Sequence, residues 1–384
     1  MNLDHSPIPH TIGSSFKPAL RTLAGAGLFS VLAAFTAGNA LAQVPAGYPA
    51  DYAKTVEGAR KEGKVVIYSS TDAKAAESLI KDFSALYPGV KVEYNDMNST
   101  EVYNRFISEA AAGGNTADLM WSSAMDLQMK LVADGYALVY KSPEGAAVPA
   151  WANYKDTAYG TTFEPATFVY NKRLVPADEV PHSHADLVKL LTTKAAKYQG
   201  KITTYDIEKA GVGFTFITSD LADNPQFWDF AKALGSAGVR VQSSTGTMLE
   251  RISSGENLIG YNMLGSYALT RAKKDPSIGV SFAKDYTLVL SRVMFVNKSA
   301  KNINAAKLWL DYTLSKRGQT VIANEAQLYA IRADVTGETT SADLTRQLGS
   351  SLKPLTVGPQ LLQYLDQTKR LAFLKQWKEA TAKK

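Results

Sequence analysis

One stretch, residues 64–81 (KVVIYSSTDAKAAESLIK), constrains the fold more than any other part of the chain. Residues 65–68 form a short β-branched apolar run, which is typical of a strand covered on both faces. The next four residues all favour helix N-termini, and apolar residues then recur at helical spacing until Pro88-Gly89. We therefore expect a buried strand that leads into a helix N-terminus, where α/β folds bind anions; the alternative is a helix cap with no ligand.

The same arrangement occurs a second time. Residues 117–121 predict another strand, and Ser122 and Ser123 then precede a second helical pattern that ends at Gly135. Because the carboxyl ends of parallel strands meet at one edge of a sheet, two such serine pairs favour a binding site over an isolated cap.

The N-terminus has the pattern of an export signal. Lys17 and Arg21 precede an apolar segment over residues 23–37, and Ala40-Leu41-Ala42 matches a cleavage site. We expect residues 1–42 to be a signal peptide and the mature protein to have no membrane insertion. Together with the absence of cysteine, this pattern predicts a bacterial periplasmic protein, expected to be a monomer.

The composition fits a globular protein of about two domains. Of the 384 residues, 45% are hydrophobic and 20% are charged, and the formal net charge is +6. The basic residues are spread along the chain without an arginine-rich run, which argues against nucleic-acid binding.

The second half of the chain repeats the strand-to-helix pattern. Residues 201–206 predict a strand, and Gly211 and Gly213 follow it at a spacing that lets a backbone approach a ligand closely. Residues 243–245 (SST) open another predicted helix. Residues 287–297 predict one long apolar strand that crosses back to the first domain, and residues 359–378 predict a terminal helix.

Catalytic signatures are absent from the sequence. It contains no nucleophile elbow, P-loop or dinucleotide-binding glycine motif. After the predicted cleavage only His182 and His184 remain as histidines, and we interpret them as a solvated loop rather than a metal site. The sequence predicts a protein that is not an enzyme and has no cofactor.

Several segments together resemble the extracellular solute-binding proteins of bacterial ABC importers, in the subgroup commonly labelled ferric-iron-binding. They are EGKVVIYSSTD, YPGVKVEYNDMNSTEVYNRF, ADLMWSS, VYNKRLVP, YDIEKAGVGF, GYNMLGSYA and NAAKLWLDYTLSKRGQ. The resemblance implies an α/β fold of two lobes, each a doubly wound sheet, joined by crossing hinge strands near residues 162–167 and 290–293. It implies a first lobe of residues 43–160 and 291–345 and a second lobe of residues 161–290. The lobe of a C-terminal helical segment, residues 346–384, stays open.

The resemblance implies binding of a small solute between the lobes and delivery to a membrane permease. Relatives that bind iron carry two adjacent tyrosines where this chain has Ser266-Tyr267, and many carry a histidine where it has Ser-Ser-Thr-Asp. Ferric iron requires several anionic oxygens, so we favour an anionic, phosphorylated organic solute. Ferric iron held by Tyr261, Tyr267 and Asp206 is the alternative, and a binding protein that signals its ligand state is a second one.

The predicted solute-binding residues come from both lobes. In the first lobe they are Ser69, Ser70, Thr71, Ser122 and Ser123. In the second lobe they are Tyr205, Asp206, Gly211, Gly213, Thr245 and Tyr261, and Asp206 would accept hydrogen bonds from hydroxyls of a sugar-like solute.

Overall fold

The structure is a computed structural model that describes residues 44–114, 116–326 and 328–382. The predicted signal peptide, residues 1–42, lies outside the described residues. Within them the chain forms helices and strands that alternate in the manner of a mixed α/β protein.

The strands of the described residues form two sheets. In chain order they are β1 (Lys64–Ser69), β2 (Lys91–Asp96), β3 (Leu119–Ser122), β4 (Asn153–Tyr154), β5 (Ala158–Gly160), β6 (Glu164–Asn171), β7 (Ile202–Tyr205), β8 (Arg240–Gln242), β9 (Ile259–Leu264), β10 (Ile278–Ser281), β11 (Thr287–Leu290), β12 (Val293–Val296) and β13 (Leu352–Pro354). The first sheet has the order β2-β1-β3-β12-β5-β4. The second has the order β13-β11-β6-β9-β7-β8, and β10 also pairs with β6.

The helices pack on the two sheets. In chain order they are α1 (Tyr52–Glu62), α2 (Ala73–Leu86), α3 (Ser99–Ala111), α4 (Met125–Ala133), α5 (His184–Thr193), α6 (Ala195–Tyr198), α7 (Gly211–Asp223), α8 (Phe227–Ser236), α9 (Thr245–Ser253), α10 (Gly265–Lys274), α11 (Ile303–Leu314), α12 (Lys316–Asn324), α13 (Ser341–Leu348) and α14 (Gln367–Thr381). We call the first sheet with α1–α4 and α11–α13 the first lobe, and the second sheet with α5–α10 and α14 the second lobe.

The strand and helix predicted from residues 64–81 are confirmed as β1 and α2. Strand β1 lies between β2 and β3 and is parallel to both. Its Val65 and Ile67 are fully buried, and α2 packs its apolar face, with Leu79 and Phe83, into the same core. This packing fixes the carboxyl end of β1, and hence Ser69 and Ser70, at the edge of the sheet that faces the second lobe.

Within the described residues the chain passes between the sheets at three places. Residues 161–163 join β5 to β6, residues 291–292 join β11 to β12, and residues 349–351 lead from α13 to β13. The long strand predicted over residues 287–297 is therefore two strands in different sheets. The break falls at Ser291 and Arg292, where a charged side chain interrupts the apolar run.

The C-terminal segment contacts the second lobe. Strand β13 pairs with β11, and α14 packs against α8. Residues 359–378 are not one helix as predicted, because a short 3-10 helix at Pro359–Leu362 is separate from α14, which begins at Gln367. Trp377 is 4% exposed, and its ring stacks on Phe227 with 6.0 Å between ring centroids. None of the helices that the structure describes combines the length and the apolar character needed to cross a membrane.

We predict that Trp377→Ala lowers the free energy of unfolding of the second lobe by about 3–5 kcal/mol, because it leaves a large cavity between α14 and α8. Urea denaturation measures this change. Lys375→Ala, an exposed substitution on the same helix, is the matched control and should change stability little. Equal stability of the two variants would show that α14 does not contribute to the core of the second lobe.

Candidate functional site

A cavity of about 310 Å³ lies between the two lobes. Its lining consists mostly of hydroxyl, amide and carboxylate side chains at strand ends and helix N-termini. From the first lobe these are Ser70, Asp72, Asp96, Asn98, Ser99 and Ser123; from the second they are Tyr205, Ser243, Ser244, Thr245 and Tyr267.

Ser70 and Ser123 bring the ends of β1 and β3 together, as the repeated serine pattern suggested. Their hydroxyl oxygens are 3.1 Å apart, and the Ser123 amide donates to Ser70 Oγ at 2.9 Å. The Ser70 amide in turn donates to the carbonyl oxygen of Trp121 at 3.0 Å. Two hydroxyls from neighbouring parallel strands therefore line one side of the cavity.

The other three predicted residues of the first lobe do not line the cavity. Ser69 Oγ accepts from the Thr71 amide at 3.0 Å, and Ser122 Oγ accepts from the Ala124 amide at 3.2 Å. Thr71 Oγ1 accepts from Arg292 Nη1 at 3.1 Å. All three hydroxyls are buried and hold the turns that position Ser70 and Ser123.

Tyr205 and Thr245 line the cavity from the second lobe, and their hydroxyls are hydrogen-bonded to each other. Tyr205 ends β7 and Thr245 begins α9, so this lobe repeats the arrangement of a strand end beside a helix start. Ser244 also lines the cavity and caps α9 by accepting from the Thr247 amide at 3.1 Å, which confirms that residues 243–245 open this helix.

The predicted glycines contact protein rather than the cavity. A Cβ on Gly213 would lie 2.3 Å from Tyr205 Cβ, and one on Gly211 would lie 2.8 Å from Ala124 Cβ. Both glycines are in α7, so they allow close packing of that helix against β7 and the first lobe. The predicted close approach exists, but its partner is the protein itself.

Asp206 and Tyr261 also lie away from the cavity lining. Asp206 accepts from the Glu208 amide at 3.1 Å and lies 3.5 Å from Lys209 Nζ, so it stabilises the turn after β7. A bulge in β9 turns Tyr261 into the interior of the second lobe, where its hydroxyl donates to Asp220. The structure therefore does not bring Tyr261, Asp206 and Tyr267 together as a set of iron ligands.

The interpretation of His182 and His184 as a solvated loop is wrong for His184. That side chain is buried, stacks on Tyr286 with 4.1 Å between ring centroids, and has Nδ1 3.0 Å from Asp285 Oδ2. His182 Nδ1 lies 2.9 Å from Ser281 Oγ. Among the described residues, no group of three or more His, Cys, Asp and Glu side chains is placed to hold a metal ion.

In the described part of the chain, three hydrogen bonds connect cavity-lining residues of the two lobes, and one of them runs from the Val212 amide to Ser99 Oγ at 3.3 Å. The Tyr267 hydroxyl accepts from the Asp72 amide at 3.1 Å, and Asn98 Nδ2 donates to the Ser243 carbonyl oxygen at 3.1 Å. The N-terminus of α2 also has its Ala73 amide occupied, because Asp96 Oδ2 accepts from it at 2.8 Å. The lobes are thus in contact, with their helix N-termini facing the cavity between them.

The residue that sequence reasoning missed most clearly is Arg292, at the crossing between β11 and β12. It is fully buried and pairs with Glu164, which is also fully buried, at 3.0 Å between Nε and Oε1. Burial alone disfavours the charged guanidinium, but Tyr267 and Glu164 more than offset it and raise the pKa of Arg292. Its only sequence signal is a charge inside an apolar run.

Another hydrogen bond between the lobes lies beside the cavity. Thr215 Oγ1, on α7, donates to Asp126 Oδ1, on α4, at 2.8 Å. Asp126 is 3% exposed, its Oδ2 has no hydrogen-bond partner within residues 44–114, 116–326 and 328–382, and burial raises the pKa of its carboxyl to about 6. The ionised carboxylate therefore opposes the packing of the lobes at neutral pH.

The comparisons with known proteins agree with this geometry. A sequence profile of bacterial extracellular solute-binding proteins matches residues 78–346. The solved substrate-binding protein of the ABC transporter from Agrobacterium tumefaciens is 41% identical, with a TM-score of 0.80 over 85% of this chain and 96% of that chain. The chain therefore belongs to the family of bacterial extracellular solute-binding proteins.

Two more distant structures show the same fold. AfuA from Actinobacillus pleuropneumoniae, with exogenous fructose-6-phosphate bound, is 22% identical with a TM-score of 0.68 over 83% of this chain and 98% of that chain. Iron-bound HitA from Pseudomonas aeruginosa is 16% identical, with a TM-score of 0.65 over 83% of this chain and 99% of that chain. The predicted two-lobed periplasmic-binding-protein fold is confirmed.

We predict that Asp126→Asn stabilises the protein relative to wild type at pH 7.5 more than at pH 4.5. The folded protein holds this proton with a pKa of about 6, whereas an ordinary aspartate has 3.8, so wild-type stability falls as the pH rises through this interval. Between pH 4.5 and pH 7.5 the difference is about 2 kcal/mol, because about 1.5 units of the shift lie above pH 4.5 and each unit corresponds to about 1.4 kcal/mol.

Urea denaturation at several pH values measures this effect. Asp229→Asn, on an exposed carboxylate paired with Lys232, is the matched control and should leave the pH profile unchanged. Parallel profiles of wild type and Asp126→Asn would contradict the prediction.

Proposed function

We propose that this protein is the periplasmic substrate-binding component of an ABC importer, and that it captures an oxyanion-bearing organic solute, a phosphorylated small molecule, between its lobes. The observation that carries the proposal is the cavity itself. Hydroxyls at the ends of β1, β3 and β7 and the N-termini of α2, α3 and α9 all border it. Such an arrangement supplies neutral donors and the positive ends of helix dipoles to an oxyanion.

The carboxylates of the cavity support a solute with a hydroxylated body. Asp72 and Asp96 line the cavity and can accept hydrogen bonds from sugar-like hydroxyls, the role the sequence analysis gave to Asp206. The bound fructose-6-phosphate of AfuA, a distant structural relative, is a solute of this kind. We therefore favour sugar phosphates and related phosphate esters over inorganic anions.

Ferric iron is the alternative, and the iron bound to HitA, another distant structural relative, motivates it. A hard trivalent cation requires several anionic oxygens in contact with it. Tyr267 lines the cavity, but burial raises the pKa of its phenol, and Tyr261 is hydrogen-bonded inside the second lobe. The described residues thus provide fewer suitable ligands for ferric iron than hydrogen-bonding groups for a phosphate ester.

The proposed mechanism is capture and delivery without chemistry. The open protein binds solute, bending at residues 161–163 and 291–292 brings the lobes together, and the closed form docks on a membrane permease. Contacts such as Asn98 Nδ2 to the Ser243 carbonyl oxygen belong to the closed arrangement. The protein acts as a monomer in this proposal.

We predict that a phosphorylated solute raises the melting temperature by several degrees. A ligand at about 1,000 times its dissociation constant adds roughly 4 kcal/mol to folding stability. The panel contains sugar phosphates, glycerol phosphates, phosphonates, inorganic phosphate, polyamines, thiamine and ferric citrate, screened by thermal unfolding. Ser70→Ala combined with Ser123→Ala should remove the shift, because both hydroxyls face the cavity.

The matched control is Ser84→Ala combined with Ser254→Ala, two exposed serines outside the cavity, which should keep the full shift. The proposal is wrong if ferric iron alone raises the melting temperature and Tyr267→Phe removes both that shift and a visible tyrosinate–iron band.

A further inference from the structure

Arg292 carries a buried donor that is paired with no acceptor in the part of the chain that the structure describes. Its Nε donates to Glu164, and its Nη1 donates to Thr71 Oγ1 at 3.1 Å and to the Ser70 carbonyl oxygen at 3.3 Å. Its Nη2 has no hydrogen-bond partner among the described residues, although the side chain is fully buried. Buried donors in native proteins are almost always paired, so an unpaired guanidinium nitrogen beside a binding cavity indicates an acceptor that comes from outside the chain.

The Tyr267 ring lies against this guanidinium. The Arg292 guanidinium carbon lies 5.1 Å from the centroid of the Tyr267 ring. Tyr267 also lines both the 310 Å³ cavity and a neighbouring groove of about 600 Å³ along α2. Asp72 and Gly246 also line both spaces, whereas Arg292 lines neither, so Tyr267 is the cavity-lining side chain whose ring lies against the guanidinium.

The Tyr267 hydroxyl occupies a position suited to an anion. It accepts from the Asp72 amide at 3.1 Å, at the N-terminus of α2. The helix dipole stabilises a neutral phenol oxygen at this position less than it would stabilise a charged oxygen. The hydroxyl is thus the weaker of two acceptors at this N-terminus, the other being the Asp96 carboxylate, which accepts from the Ala73 amide at 2.8 Å.

We propose that the Asp72 amide and Arg292 Nη2 form the anion-binding end of the solute site, and that Tyr267 covers this end until the oxyanion of the solute displaces its hydroxyl. The inference rests on the proposed function in that it takes an oxyanion as the ligand group. It adds the residues that hold this group and a side chain that must move to admit it. Guanidinium carries five donors, so Arg292 can hold Glu164 and an oxyanion together.

The test is a calorimetric titration with inorganic phosphate, and in parallel with fructose 6-phosphate, on wild type and three variants. Tyr267→Phe removes only the competing hydroxyl, so phosphate should bind on the order of threefold to tenfold more tightly, the worth of one hydrogen bond. Glu164→Gln combined with Arg292→Gln removes the guanidinium without leaving an unpaired buried carboxylate, and should weaken binding at least about tenfold. Tyr364→Phe is the matched control and should bind as wild type does.

The outcomes separate this inference from the proposed function. Unchanged phosphate affinity in Tyr267→Phe, or retained affinity in a folded Glu164→Gln/Arg292→Gln protein, overturns the inference even if sugar phosphates bind wild type. The inference is also wrong if fructose 6-phosphate binds to the wild-type protein but inorganic phosphate does not bind to Tyr267→Phe. Phosphate binding that depends on Arg292, with no organic phosphate bound, supports the inference and contradicts the proposed solute class.

Discussion

The buried ion pair between Arg292 and Glu164 is the interaction on which the arrangement of the two lobes depends. Glu164 begins β6, where the chain enters the second sheet, and Arg292 lies where the chain returns to the first. Removing one partner of such a pair leaves an uncompensated buried charge and costs about 3–5 kcal/mol. Because the guanidinium also bonds the Ser70 carbonyl oxygen and Thr71 Oγ1, the pair holds the end of β1 against the second lobe and so defines one wall of the cavity.

The cavity beside this pair has the chemistry of an oxyanion and hydroxyl site. Serine and threonine hydroxyls and helix N-termini provide donors, while Asp72 and Asp96 provide acceptors. Glu164 neutralises the positive charge of Arg292. The site therefore selects an oxyanion by hydrogen-bond donors at fixed positions and not by a net positive charge. This combination of donors and acceptors suits a solute that carries both a charged oxyanion and a hydroxylated body, and it suits a bare ferric ion poorly.

Local sequence patterns predicted the fold and part of the site. The strand, serine pair and helix of residues 64–81 could be predicted because hydrophobic periodicity and capping preferences are local properties. Which of Ser69, Ser70 and Thr71 faces the cavity depends on the turn geometry, and the bulge that turns Tyr261 inward has no sequence signal. Arg292 and Glu164 are 128 residues apart, so only the tertiary structure could show that they are partners.

The central claim is that the interlobe cavity holds a phosphorylated solute rather than iron. Elemental analysis tests it most directly, on protein equilibrated with a mixture of sugar phosphates, glycerol phosphates and ferric citrate and then dialysed. We predict stoichiometric phosphorus in the wild-type protein, background iron, and loss of the phosphorus when Ser70 and Ser123 are both replaced by alanine. Stoichiometric iron without phosphorus, or retention of neither element, would contradict the claim.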